Sequence, residues 1–252
     1  MVQTLIANNT ATSNSQAGSR HSAVVATKYT RRADDSGWLG VRLEPSGSLV
    51  FICEYTKVII LNKVGGRTYF RIADGNGSYV GKEASLKDEN ALKFLADAPP
   101  VEPATVQLKY DGVPVLTRSE IRGDTREQQW AIASFNGKVA RVTLNSIWDQ
   151  GYTPIPPGKH RIMAPDFSHA NIPTSGYRAA HPGQISCTDV WFPIELEGTT
   201  GNSSRYIHIG HLSEGCVTFY ELLKWNDIYE YLINRRVKGE DGKYIGTLLV
   251  EK

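Results

Sequence analysis

The stretch YIHIGHLSEGCVTF, residues 206–219, places two histidines, a serine and a cysteine within a few residues of one another. Its first half alternates in the manner of a β-strand, in which successive side chains point to opposite faces. His208 stands at the end of that strand, and Gly215 directly precedes Cys216. A glycine there permits a sharp turn that exposes the following sulfur. The pattern therefore predicts a strand and a tight turn that bring an imidazole close to a thiol.

Three functions are open to this cluster of polar side chains. A thiol acts as a nucleophile only as the thiolate, so His208 near Cys216 is typical of cysteine catalysis with an imidazole base. Two histidines and a cysteine are also metal ligands, although a zinc site needs a favourable loop geometry and a fourth position. A lone cysteine followed by Val-Thr-Phe is often buried and inert. Spacing alone does not decide among these functions.

The other cysteines indicate little chemistry. The chain has three cysteines in all, Cys53, Cys187 and Cys216. They are too few and too widely spaced for a disulfide framework, and no CxxC pair accompanies them. Cys53 lies in the apolar run SLVFICEY and is predicted to be a buried core thiol, and Cys187 is expected to be buried as well.

β-prone segments and turn residues dominate the chain and predict a mainly β protein in two parts. Residues 1–36 are rich in Ala, Ser, Thr and Asn without apolar periodicity, which predicts a mobile arm. Residues 37–127 contain three hairpin-like units and predict a β module of unknown role, trefoil-like or sandwich-like. Residues 128–252 predict a second β-rich domain, which opens with a hairpin across Asn136 and Gly137.

The sequence contains one convincing helix pattern, FYELLKWNDIYEYLINRR, at residues 219–236. Its apolar residues recur at helical spacing, which predicts a face that packs on the core. These residues are Leu222, Leu223, Trp225, Ile228, Tyr229, Leu232 and Ile233. The helix is expected to pack directly after the His/Cys stretch.

Composition narrows the classes of function. A chain of 252 residues with 40% hydrophobic and 21% charged residues suits a soluble globular protein. The net charge of +2 does not favour binding to nucleic acid or to a membrane surface. No apolar run is long enough to span a bilayer, and the first residues lack the features of a secretory signal. We therefore expect synthesis in the cytosol, and export would require a signal-independent route. No oligomeric state is predicted.

The run His208-x-Gly210-x-x-Ser213-x-Gly215-Cys216 resembles the signature of the L,D-transpeptidase (YkuD-type) catalytic domain. In that signature a histidine precedes a Ser/Thr-x-Gly-Cys nucleophile turn. The order is opposite to that of papain-like and NlpC/P60-like peptidases, in which the cysteine comes first.

Two upstream stretches are also similar to that family. YTPIPPGKHRI, residues 152–162, is similar to a Thr-Pro-x-Gly segment that precedes a barrel strand. NGKVARVTLNS is similar to the short strand pair that opens the domain. The resemblance covers about residues 130–252. It implies an L,D-transpeptidase-like β-barrel or sandwich with one helix after the nucleophile.

The resemblance implies cysteine-dependent acyl transfer or hydrolysis on peptidoglycan stem peptides. It also implies action at the cell envelope, in the periplasm or after secretion by a signal-independent route; without the resemblance, a cytoplasmic protein is expected. Cys216 would attack a stem carbonyl, commonly between meso-diaminopimelate and D-alanine, while His208 acts first as base and then as acid. Backbone N–H groups around Gly215 and Cys216 would stabilise the oxyanion. The acyl group would pass to an amine, as in a transpeptidase, or to water, as in a carboxypeptidase. Ser213 would order the turn through its hydroxyl. No metal or organic cofactor is implied.

Several residues depart from the family pattern, and the gap between His208 and Cys216 is shorter than usual. Glu214 stands where many members carry a histidine, and Thr218 stands where an arginine often binds the substrate carboxylate. A long irregular stretch, residues 163–186, is typical of a lid or binding loop. The candidate substrate-binding residues are Arg205, Thr218, His211, Tyr177 and Arg178, with His169 as a weaker candidate.

Two alternatives use the same sequence features differently. An antibacterial effector would direct this domain against the cell wall of a competitor. A glycan- or protein-binding protein with a decayed active site would bind through its N-terminal hairpins, using Tyr69, Tyr79 and Tyr110.

Overall fold

The structure, a computed structural model, describes residues 26–172 and 174–252. Most of the predicted arm, residues 1–25, lies outside these described residues. The rest of that prediction is wrong, because Thr27–Thr30 forms strand β1 and pairs with two later strands. Both partners lie further along the chain, so the local composition does not reveal this strand.

The prediction of a mainly β protein is confirmed, with 41% of the residues in strands and 11% in helices. The strands form a seven-stranded sheet in the N-terminal part and a closed barrel of eight strands in the C-terminal part. None of the helices in the described ranges is long and apolar enough to cross a lipid bilayer.

The N-terminal part is one antiparallel sheet, in the strand order β3-β2-β6-β5-β4-β1-β7. After β1, its elements are β2 (Trp38–Leu43), β3 (Leu49–Cys53), β4 (Lys57–Val64), β5 (Arg67–Ile72), β6 (Glu83–Lys87), helix α1 (Asp88–Phe94) and β7 (Leu95–Ala96). Alternate apolar side chains, among them Leu39, Val41 and Phe70, form its own buried core. The trefoil-like and sandwich-like predictions are both wrong, because the hairpins pair edge to edge into a single sheet.

The C-terminal part contains the barrel. Its elements are β8 (Ala104–Tyr110), β9 (Val115–Arg118), β10 (Thr125–Phe135), β11 (Lys138–Asn145), β12 (Gly158–Met163), helix α2 (Ser175–Ala180), β13 (Phe192–Glu195), β14 (Tyr206–Ile209), β15 (Val217–Phe219), a 3₁₀ turn (Leu222–Lys224), helix α3 (Trp225–Ile233) and β16 (Tyr244–Glu251). The ring runs β10-β11-β15-β14-β13-β12-β16-β8 and closes where β8 pairs with β10. β9 extends the sheet beside the first half of β10. Two pairs in the ring are parallel, β14 with β15 and β16 with β8.

The predicted boundary at residues 127 and 128 falls inside β10 and is wrong. β8 and β9, which the sequence assigns to the first module, belong to the barrel sheet. β8 pairs in parallel with β16, so that Val106 lies opposite Leu248. This long-range pairing, which local hairpin signals do not reveal, moves the start of the barrel to about Ala104.

The local predictions within the barrel are confirmed. β10 and β11 form the expected hairpin, with Asn136 and Gly137 both at positive φ between the paired Phe135 and Lys138. The helix pattern corresponds to the 3₁₀ turn followed by α3, although Leu223 is exposed rather than packed. The aromatic side chains on the buried face of α3 pack against Phe192 and Phe219 of the barrel.

The N-terminal sheet packs directly on the barrel. Trp38 and Cys53 are part of the barrel's own apolar core. The Tyr229 hydroxyl on α3 donates a hydrogen bond of 3.0 Å to the Glu54 carboxylate. The backbone N–H of Cys187 donates to a carbonyl in the segment between β1 and β2. The two sheets therefore share a continuous buried contact.

The tyrosines of the binding-protein alternative are all partly buried. Tyr69 and Tyr79 lie in the N-terminal part, where the Tyr79 ring packs against the sheet core. Tyr110 belongs to the barrel, and its hydroxyl donates to the Ile155 carbonyl at 2.6 Å. The three side chains do not form the exposed aromatic surface that this alternative requires.

Candidate active site

His208 and Cys216 lie close together where two neighbouring strands meet. β14 and β15 are parallel, with His208 on β14 opposite Thr218 of β15. Cys216 is the last residue of the turn and directly precedes β15. Both residues line one cleft with a volume of about 430 Å³. Each of the two residues is only 6% exposed.

The connection between these strands is unusually short. Parallel neighbours are commonly joined by a crossover of about a dozen residues or more. Here residues 210–216 suffice, and Gly210 and Gly215 both adopt positive φ, at 150° and 87°. The short gap between His208 and Cys216 in the sequence is therefore a turn that runs back along β14. The chain then enters β15 with Val217 opposite Ile207 of β14.

Hydrogen bonds define the tautomer of His208. The ring Nδ1 lies 2.9 Å from the Ile209 carbonyl oxygen, which only accepts, so Nδ1 carries the proton. Nε2 therefore has a free lone pair, and it accepts a hydrogen bond of 3.1 Å from the Thr218 hydroxyl. The Ile209 carbonyl therefore orients the imidazole.

Burial keeps His208 neutral. It lowers the pKa of the imidazole to about 4, with a smaller contribution in the same direction from His169 and an opposing one from the hydrogen bond to Ile209. At neutral pH the imidazole is uncharged, with its proton on Nδ1, and its unprotonated Nε2 faces Thr218 of β15. The local arrangement is that of a general base.

A column of stacked rings covers the face of His208. The Trp191 ring lies 4.1 Å from the His208 ring at an angle of 14°. His169 stacks on the other face of Trp191 at 4.3 Å, and Phe167 stacks on His169 at 4.4 Å. His169 is thus a buried member of this column rather than a free substrate contact. Trp191 is a site residue that sequence reasoning missed, because no motif marks it.

Three side-chain hydrogen bonds hold the turn before the cysteine. The Ser213 hydroxyl donates to the Cys216 carbonyl at 2.9 Å, and the Ser213 N–H donates to the Ser146 hydroxyl at 2.8 Å. The Arg205 guanidinium donates to the Glu214 carbonyl at 2.7 Å. A serine and an arginine therefore fix the backbone on either side of Gly215.

The thiol of Cys216 is protonated at rest. Burial raises its pKa to about 11, against the opposing effects of a hydrogen bond from the Tyr206 backbone and the charge of Arg205. The carboxylate of Glu214 adds to the rise. The pair at rest is therefore a neutral thiol beside a neutral imidazole, and the sulfur needs a base at the moment of attack.

The structure separates the predicted substrate-binding residues. Tyr177 lines the cleft, and its hydroxyl accepts a hydrogen bond from the His211 backbone N–H at 3.0 Å. Arg205 contacts the nucleophile turn, as described above. Thr218 is completely buried beneath His208 and does not face the cleft.

Two of these predictions are wrong. His211 is buried, not on the substrate side: it bonds Ser119 and the Tyr220 carbonyl and stacks on the Tyr220 ring at 3.8 Å. Arg178 points away from the cleft and donates to the Asp35 carbonyl at 3.0 Å. The sequence predicts irregular structure around both residues, and that prediction does not reveal that helix α2 carries Arg178 or that packing buries His211.

Sequence reasoning also missed much of the cleft wall. The cleft has aromatic sides, formed by Tyr152, Tyr177, Trp191 and Tyr206, and it contains two charged side chains at its edge, Arg122 and Glu214. Arg122 comes from the loop between β9 and β10, which the sequence places in another domain. The barrel pairing brings it to the site.

No protein-family model matches the chain, and neither the curated proteins nor the solved structures yield a match. Within residues 26–172 and 174–252, no group of three or more His, Cys, Asp or Glu side chains is placed to hold a metal ion. The geometry of the cleft itself therefore carries the functional interpretation.

The buried imidazole predicts a specific dependence of stability on pH. Its pKa is about 4 in the folded state against an ordinary 6.5, so the unfolded chain binds the proton more readily between these values. Stability from this group is complete above pH 6.5 and is lost as the pH falls toward 4. Between pH 7 and 4.5 we expect the loss to be about 2.5 kcal/mol.

Urea unfolding of wild type and His208→Gln at pH 7 and at pH 4.5 measures the contribution of His208 to this loss of stability. The variant should lose less stability on acidification than wild type does, by that amount. His181→Gln, which replaces a partly exposed histidine, should keep the wild-type difference. Equal acid sensitivity in wild type and His208→Gln would show that His208 is not held neutral by the fold.

Proposed function

We propose that the protein is a cysteine-dependent acyltransferase or hydrolase that acts on peptidoglycan stem peptides, of the L,D-transpeptidase or L,D-carboxypeptidase type. The observation that carries this proposal is that His208 of β14 and Cys216, which directly precedes the parallel strand β15, line one cleft. The choice of stem peptides as substrate rests on the resemblance of the His208–Cys216 run to that family.

The protonation states support attack with general-base assistance. As the sulfur of Cys216 bonds to the substrate carbonyl carbon, Nε2 of His208 gives up its hydrogen bond from the Thr218 hydroxyl and accepts the thiol proton. Collapse of the tetrahedral intermediate breaks the carbon–nitrogen bond, and His208 passes the proton to the leaving amine. The product is a thioester on Cys216. An amine or water then attacks the thioester carbonyl carbon and gives its proton to His208. The carbon–sulfur bond breaks, and His208 returns the proton to the sulfur of Cys216.

The turn also supports stabilisation of the oxyanion. In the described part of the chain, the backbone N–H of Gly215 donates to no protein acceptor. This donor lies next to the nucleophile, and Arg205 and Ser213 fix the turn that carries it. A rigid, unpaired N–H beside the sulfur is the kind of group that binds a developing negative charge.

Mass spectrometry tests the proposal in one experiment. Wild-type protein incubated with muropeptides should yield cross-linked or trimmed products, and the intact protein should gain the mass of an acyl group that maps to Cys216. Quenching at acidic pH preserves the thioester for this measurement. Unchanged muropeptides together with an unmodified protein would contradict the proposal.

A further inference from the structure

The two charged side chains that line the edge of the cleft differ in their ion pairing. Arg122 is paired with Asp124, whose carboxylate lies 3.4 Å from its Nε. Glu214, by contrast, forms no ion pair within residues 26–172 and 174–252, and it is exposed. His208 is neutral. Arg205 places a positive charge on the same turn, but its guanidinium binds the Glu214 carbonyl, so among the described residues the Glu214 carboxylate has no ion-pair partner.

A hydrogen bond to its backbone carbonyl fixes the position of Glu214. Arg205 donates to the Glu214 carbonyl at 2.7 Å, so its guanidinium binds the main chain instead of the carboxylate. The Glu214 side chain lies near Tyr152, and its charge is the main cause of the raised pKa of that phenol. It also raises the pKa of the adjacent Cys216 thiol. The Glu214 carboxylate thus raises the pKa of two groups that line the cleft, the Tyr152 phenol and the Cys216 thiol.

A carboxylate in this place works against formation of a thiolate. The positive charge of Arg205 acts in the other direction and lowers the pKa of the thiol more than Glu214 raises it. A cation on the bound substrate would remove the opposing effect of Glu214, because it neutralises the carboxylate next to the sulfur. Tyr177, Trp191 and Tyr206 line the same cleft, and among the described residues that line it Glu214 is the only carboxylate available to a substrate cation.

We infer that Glu214 is a specificity-determining residue that binds an ammonium group of the substrate close to the reacting carbonyl. As a statement about substrate, this inference rests on the proposed function, and it requires a stem peptide whose side chain ends in a free amine. Diaminopimelate and lysine stems both meet this requirement. A stem whose distal amine is acylated does not.

Small thiol reagents test the selectivity without any enzymatic turnover. The probes are methanethiosulfonates of matched size that carry an ammonium, a methyl or a sulfonate group, and each forms a mixed disulfide with Cys216 and releases methanesulfinate. The rate at Cys216 is followed by peptide mass mapping. Because all three reagents react with the same thiolate, the ratio of their rates cancels any change in the thiol pKa.

In wild type the ammonium reagent should react faster than the sulfonate reagent, and Glu214→Gln should reduce this ratio about tenfold. Glu230→Gln, which removes an exposed carboxylate on α3 outside the cleft, should leave the ratio unchanged. A ratio that stays within about twofold of wild type in Glu214→Gln would overturn the inference.

A second experiment tests whether Glu214 binds the distal amine of the stem peptide. Acetylation of the distal amine of a stem tetrapeptide should lower kcat/KM about tenfold in wild type and have no effect in Glu214→Gln. An equal loss on acetylation in both proteins would count against Glu214 as the binding group. If wild type does not process stem peptides at all, the proposed function fails, whereas the reagent ratios still decide the role of Glu214.

Discussion

Cys216→Ala is expected to abolish processing of stem peptides, with a loss in kcat/KM of about 10⁴-fold or more. The alanine cannot form the thioester, and no second thiol is able to replace it. Cys53 and Cys187 are both buried, and neither lines the cleft. The measurement is turnover of muropeptides by chromatography and mass spectrometry, together with a thermal unfolding curve that establishes that the variant is folded.

Cys53→Ala is the matched control for this prediction. It also removes a buried thiol, but from the contact between the N-terminal sheet and the barrel. We expect it to lower stability slightly while its kcat/KM remains within about twofold of wild type. Full activity in Cys216→Ala would exclude cysteine catalysis at this site.

Gly215→Ala is expected to lower kcat/KM about 100-fold and to reduce the free energy of unfolding by about 2 kcal/mol. Gly215 adopts φ 87°, where an L-residue costs about 1 kcal/mol. A methyl group there would also overlap the Arg205 guanidinium and lie 2.5 Å from the Thr153 carbonyl oxygen. The turn must then move, and a shift of about 1 Å at the nucleophile costs about this much in rate.

Gly198→Ala separates the two causes of this effect. Gly198 also has positive φ, at 77°, but nothing lies within 4 Å of the added methyl group. This control should therefore lose about 1 kcal/mol of stability and no activity. Urea unfolding and steady-state kinetics measure both quantities. If Gly215→Ala behaves like Gly198→Ala, the close contact with Arg205 does not shape the site.

The resting protonation states change how reactivity is interpreted. A thiol whose pKa is raised to about 11 and an imidazole whose pKa is lowered to about 4 are both neutral near pH 7. Slow alkylation at neutral pH therefore does not by itself indicate a decayed site. In this cleft, proton transfer to His208 accompanies the attack instead of preceding it.

Much of the candidate site was predictable because its central parts are local. The alternation before His208 and the glycine before Cys216 predict a strand and a turn within a single segment. The same holds for the hairpin at Asn136 and Gly137 and for the helix after the nucleophile, both of which the structure confirms. Such signals depend on periods of two or 3.6 residues and on the conformations that glycine and asparagine adopt.

The supporting parts of the site depend on contacts between distant segments. Trp191 stacks on His208, and Arg122 reaches the cleft from the loop after β9. Arg205 is a candidate for substrate binding in the sequence, but in the structure it binds the turn. His211 is expected in a loop, yet it is buried against Tyr220. None of these outcomes follows from the residues next to them in the chain.

The sequence by itself therefore determined the mainly β character, the strand–turn pair of His208 and Cys216, and the helix that follows. Tertiary structure alone decided where the barrel begins, which carbonyl orients the imidazole, and which charged side chains reach the cleft. The physical reason is the range of the interactions. Turn chemistry and periodicity act over a few residues, whereas the parallel pairing of β8 with β16 joins segments at opposite ends of the domain and becomes favourable only when the whole barrel closes.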